Sequence, residues 1–212
     1  MAGRATSTRA SKDADVDPVA VLGQLLGTVA DRPASALDDA IDAAAQCFAR
    51  HGIGHASVLD IARQMGVSKA TAHRYVGSID DALRLVLARE LHDVADEIVR
   101  ALEGVEGVDR VLVPAIIVAR HASQHPMLLK LLADEPNMVG ELLPVAMSVL
   151  DGMVSLLGMY LEACMRSGDI ATSDPTALAD LIGRLLVMAM LIPPADLTAH
   201  FRTALLPHLA VR

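Results

Sequence analysis

Ten residues, Gly66 to Tyr75 (GVSKATAHRY), gather the side chains most suited to recognition chemistry in this chain. Lys69 and Arg74 are long cationic donors, and an arginine can bridge O6 and N7 of a guanine. Thr71 can donate to a phosphate oxygen. With Ala70 and His73 they make a run of polar or small positions, the kind of helix face that enters a DNA major groove. Asp and Glu are missing from Ile61 through Ile79, whereas Arg63, Lys69 and Arg74 fall inside that window. The formal charge of the whole chain is −8, which argues against non-specific coating of nucleic acid and makes a local basic patch the footprint to look for.

A helix has to present these residues, and a tight turn has to aim it. Gly66-Val67-Ser68 meets the requirements of a helix-turn-helix: Gly66 can take a positive φ, Val67 can plug the space between the helices, and Ser68 can cap the second helix. The preceding helix opens at a capping pair, Ser57 and Asp60, and carries Val58, Ile61, Ala62 and Met65 on one face, with Ala62 small where the helices cross. Two packed helices of a bundle with a polar outer face satisfy the same pattern, so the motif alone leaves both readings open.

The rest of the chain reads as helix. Apolar residues make up 53 % of the 212, aromatics only 2 %, and Trp is absent, so Leu, Ala, Val and Met must fill the interior. That composition favours helices over sheets. Residues 1–16 read as a disordered tail and 17–33 as a short leading helix. Ser35 and Asp38 form a further expected capping box before the apolar face Leu37, Ala40, Ile41, Ala44, Cys47 and Phe48, and Ser78 and Asp81 form another before a long helix. Further helices are predicted at about 109–124, 127–134, 138–167, 176–192 and 195–209. The expected fold is all-α: a helix-turn-helix domain over 34–83, with its motif at 57–76, then a larger helical domain over 84–212. No apolar run reaches the roughly 20 residues of a bilayer span. With no secretory signal and two separated thiols, Cys47 and Cys164, a cytoplasmic location is expected.

The stretch from Ala36 to Leu87 resembles the N-terminal domain of TetR-family transcriptional regulators, through "AAAQCFARHG", "SVLDIARQMGVSKAT" and the helix-starting "SIDDAL". "HPMLLKLLADEP" and "DPTALADLIGRLLVMAM" resemble segments of that family's ligand-binding and dimerisation domain. The resemblance implies a palindromic double-stranded DNA operator, a homodimer, and a small apolar effector whose binding releases the DNA. Carried over by position, it puts Ser57, Thr71 and His73 near phosphates and Lys69, Ala70 and Arg74 near base edges. Ser68 caps the recognition helix, and Tyr75 stands at its far end. The chain departs from the family at His73, where a tyrosine is usual, at Val76, where an aromatic is common, and at Ile79, where a lysine often touches phosphate. Losing that lysine lowers the electrostatic part of binding and its salt dependence.

In the C-terminal unit, Leu178, Ile182, Leu185, Phe201 and Leu205 are the candidate dimer-interface residues, on helices apolar on more than one face. His121, Gln124, Met147 and Met188 are the candidate pocket residues. Scant aromatics favour an aliphatic or lipid-like effector over a flat ring system. His121 and His125 stand at i, i+4, but without an evident third ligand no metal is expected, and no cofactor either. The chain lacks a phosphate-binding loop, a Cys-Cys metal spacing and a nucleophile elbow, so it does not read as an enzyme. The other reading is an all-α dimeric protein that binds a small molecule or a partner and whose DNA motif has decayed.

Overall fold

A computed structural model describes residues 17–28, 31–134 and 138–210, with side chains except at 131, 132, 134 and 138–151. The expected tail over 1–16 and the side chain of Met147 lie outside the described residues. All regular structure among the described residues is helical, as expected: α1 (Pro18–Gly27), α2 (Asp38–His51), α3 (Val58–Met65), α4 (Lys69–Val76), α5 (Ile79–Ala101), α6 (Asp109–Gln124), α7 (Pro126–Asp134), α8 (Met138–Ser167), α9 (Pro175–Leu191) and α10 (Leu197–Leu209). No helix among them is long and apolar enough to cross a membrane.

Two hydrophobic cores organise these helices. The smaller joins Ile41, Ala44, Cys47 and Phe48 of α2 to Ile61 of α3, Val76 of α4, and Ala82 and Val86 of α5. The larger gathers Ile98, Leu102, Leu112, Tyr160, Leu161, Ile182, Phe201, Leu205 and Leu209. Helix α5 therefore belongs to both, its first half in the unit around the 57–76 motif (the reading unit) and its second in the larger body. The leading helix α1 packs by Leu22 into the larger core, and the chain after it is tied to α5 where Arg32 meets Asp93 and Asp96. One contribution to the smaller core comes from far along the chain. Met127, at the start of α7, is buried among the reading-unit residues.

Two local expectations are corrected. Ser35 and Asp38 make no capping box: Ser35–Leu37 forms a 3-10 turn, and α2 begins only at Asp38, with no side-chain cap. Val67 does not plug the interhelical space either. With Gly66 in the left-handed conformation, Val67 is turned outward and is 36 % exposed.

At the end of the larger body away from the reading unit's core, the loop after α5 is clamped to the α8–α9 loop. Asp169 accepts the Gly107 N–H at 2.8 Å and pairs with Arg110 at 2.9 Å. The Tyr160 hydroxyl donates to the Arg110 carbonyl at 2.6 Å. These bonds tie the start of α6 to α8 and to the loop that follows it.

Candidate nucleic-acid interface

The interface is built from three hydroxyl caps. Ser57 accepts the N–H of Asp60 and donates its own hydroxyl to the Asp60 carboxylate at 2.5 Å, starting α3. That hydroxyl, and then Arg63, hold the Asp60 carboxyl below the usual carboxylate range. Helix α3 ends at Gly66, φ 68° and ψ 28°, where the Val67 N–H closes back on the Ala62 carbonyl at 3.0 Å. This is the left-handed C-terminal cap that the sequence requires of a glycine. Ser68 then caps α4 by accepting the Thr71 N–H at 3.2 Å, the two hydroxyls lying 2.9 Å apart.

Helix α4 is short and two-faced. Ala72 and Val76 are buried against the small core and fix its rotation about its own axis. Lys69, Ala70, His73, Arg74 and Tyr75 are exposed on the opposite side, and Thr71 is half-buried. The Arg74 guanidinium sits 5.7 Å from the centre of the Tyr75 ring, a cation–π contact that restrains a long side chain before any ligand is met. Val76, where an aromatic is common in the family the motif resembles, serves as a core residue here. Ile79 packs against the same core.

The next cap sets the angle between α4 and α5. Gly77 has φ 71° and ψ −140°, a region that side-chain-bearing residues avoid. Ser78 and Asp81 form the complete capping box: each side chain accepts the other's backbone N–H, at 3.0 and 3.1 Å. Hydrogen bonds from the Ser78 hydroxyl and backbone hold the Asp81 carboxyl below the usual range. A Cβ on Gly77 would lie 2.7 Å from the Asp81 carboxylate, so a larger residue here must displace that side chain and break the cap.

The exposed basic side chains near this surface include Arg63 and Arg84, each in an i,i+3 pair with the aspartate of a capping motif. Such exposed pairs are weak and leave the guanidinium available to phosphate. Arg84 is not among the residues that the sequence pointed to. The thiol of Cys47, inside the reading unit, is pushed up by burial and is a packing residue.

The C-terminal candidates fall elsewhere than their periodicity implied. Leu178, Ile182, Phe201 and Leu205 are sealed inside the protomer's own core and Leu185 is half-buried against it. Among these five, Leu185 keeps part of its surface exposed. Met188 and Ile192, 51 % and 71 % exposed, lie on the outer side of α9 and at its end. Among the pocket candidates, Met188 is thus on the surface, Gln124 is exposed, and His121 is bound to Glu97 at 2.6 Å beside Arg120. Among the described residues no group of three or more histidines, cysteines or carboxylates is arranged to hold a metal.

Residues 40–86 match the model of a family described as bacterial regulatory proteins, tetR family. The fold is similar to that of a fatty acid degradation regulator, FadR, from Bacillus halodurans: TM-score 0.60, 20 % identity, covering 85 % of this chain and 97 % of that one. It is also similar to a TetR-family transcriptional regulator from Pectobacterium atrosepticum: TM-score 0.57, 16 % identity, covering 83 % and 95 %. No curated protein sequence matches the chain. The resemblance expected from the sequence is supported: a TetR-family N-terminal domain stands on an all-α TetR-like fold.

Gly77→Ala is expected to cost roughly 1–3 kcal/mol, from the disallowed backbone and the lost capping box. Urea denaturation measures this, with hydrogen exchange at α4 and the start of α5 locating the damage. An unchanged midpoint would contradict the role given to this turn.

Proposed function

We propose that this protein is a ligand-responsive, dimeric transcriptional regulator that represses from a palindromic operator and leaves it when a small apolar effector binds the C-terminal unit. The observation that carries the reading is the acid-free outer face of α4, from Lys69 to Tyr75, whose orientation is locked by buried Ala72 and Val76. Arg74 and Lys69 read base edges. Ser57, Thr71 and His73 contact phosphates, and Ser68 keeps the α4 N-terminus in shape for the same backbone.

Two such helices must meet half-sites about one helical turn apart, which requires a second copy. The exposed stripe of α9, with Met188 and Ile192 beside half-buried Leu181 and Leu191, supplies the apolar surface for it. The effector works by binding better to the spacing of recognition helices that does not fit DNA. An aliphatic effector is supported by the dearth of aromatic side chains and by the similarity of fold to the Bacillus halodurans regulator of fatty acid degradation.

Rounds of selection from a randomised duplex library are expected to enrich a palindrome with the native protein and none with Lys69→Ala/Arg74→Ala, each lost base contact being worth about 1–3 kcal/mol. No enrichment by the native protein at low salt would move the assignment to a dimeric binding protein with a decayed motif.

Met188→Asp should shift the dimer to monomer in sedimentation while leaving helical content intact. A variant that stays dimeric would remove α9 as the interface.

Long-chain acyl ligands should weaken operator binding by roughly 5- to 150-fold, the usual span of allosteric coupling. Release by planar aromatic compounds alone would overturn the aliphatic assignment.

A further inference from the structure

Between α6 and α7, a histidine occupies a position that helices usually give to Ser, Thr, Asp or Asn. The His125 carbonyl accepts the Leu129 N–H at 2.9 Å, which opens α7, and its Nδ1 accepts the Leu128 N–H at 3.4 Å. Pro126 stands next, at the first helical position, where no N–H is needed. His125 is therefore the N-cap of α7. Its other nitrogen, Nε2, lies 2.7 Å from the Glu90 carboxylate on α5. An Nδ1 that accepts carries no proton, so Nε2 holds the hydrogen and donates it to Glu90. The neutral ring satisfies both neighbours at once.

The imidazolium cannot. Its Nδ1–H would face another donor, and its charge would sit at the positive end of the α7 dipole. Glu90 accepts from the Nε2–H of either form, so that contact is kept. A proton on His125 therefore exchanges the cap of α7 for a stronger pair with α5. The exchange reaches the reading unit through Met127, two residues on, whose side chain is buried in that unit's core.

We propose that His125 is a positioning residue: as a neutral N-cap it holds α7, and through Met127 the reading unit, in place, and its protonation loosens that hold and weakens DNA binding. This rests on the reading of the chain as a DNA-binding regulator. Charged groups also lie on the helices that neighbour it. Glu90 faces it from α5. Glu97 holds Arg120 and His121 farther along the α5–α6 seam, Arg89 pairs with Asp42 between α5 and α2, and Lys130 lies on α7. His121 is the second imidazole of the seam, with its bond directed to Glu97, and it serves as the control.

Two readouts test the idea over about pH 8 to 5.5, where imidazoles change charge. In the free protein, the Leu128 amide and the Met127 methyl resonances should titrate together. In His125→Asn, an uncharged N-cap that keeps an acceptor near the Nδ1 position, neither should move. On the selected operator, the native protein should lose roughly 2- to 10-fold in affinity relative to His125→Asn as pH falls, the worth of one capping hydrogen bond. His121→Gln should behave as the native chain. Comparison with the Asn variant cancels every ionisation that both proteins share. Static resonances, identical titration in the Asn variant, or superimposable affinity profiles would overturn the proposal. Titrating resonances without any selected duplex would instead overturn the regulator reading while supporting the cap, so the two failures are distinguishable.

Discussion

Helix α5 has to satisfy two hydrophobic cores at once. Ala82 and Val86 in its first half are sealed against α2 and α4, while Ile98 in its second half and Leu102 just beyond it are sealed in the larger body. A helix is stiff over this length, so the direction of α5 at one end fixes its direction at the other. The reading helix α4 is joined to it through a single glycine turn. The direction of Lys69 and Arg74 is therefore tied to the packing of helices outside the 57–76 motif. Arg89 and Asp42, 2.6 Å apart, hold the α5–α2 crossing from the outside, and Met127 holds it from within.

The charges divide along the same lines. A chain with a net charge of −8 presents an acid-free reading helix by assigning the nearby aspartates to other tasks. Asp60 and Asp81 are held by serine hydroxyls at helix starts, where the helix dipole favours a carboxylate, and each also engages an arginine. Farther along α5, Glu90, Asp93, Asp96 and Glu97 pair with His125, Arg32, Arg120 and His121. Most of these pairs are exposed, and each is worth little to stability. Their value lies in orienting neighbouring segments about α5.

Much of the reading unit was legible in the chain. Ser57, Ser68 and Ser78 cap the helices expected of them, and Gly66 takes the positive φ that the turn needs. Each of these depends on partners within a few residues. Ser35 carried the same signal and failed, because the chain enters α2 through a 3-10 turn that leaves no helix start at that position. Val67 failed for a related reason: apolar character is visible in sequence, whereas the direction given to it by a left-handed residue is a property of the folded turn.

The sequence by itself determined most helix ends, the Gly66 and Ser68 turn chemistry, the absence of strands among the described residues and the place of α4, since hydrogen bonds between residues three or four apart need no tertiary partner. Only the tertiary structure decided which apolar faces lie inside. Leu178, Ile182, Phe201 and Leu205 have the periodicity of a buried face, and periodicity cannot distinguish a protomer's core from a contact between two copies. The same holds for Met127, which crosses from the larger body into the reading unit, and for His125, whose Glu90 partner stands 35 residues away. Burial and long-range pairing depend on which loops close over which helices, and that choice is made by the whole chain folding at once.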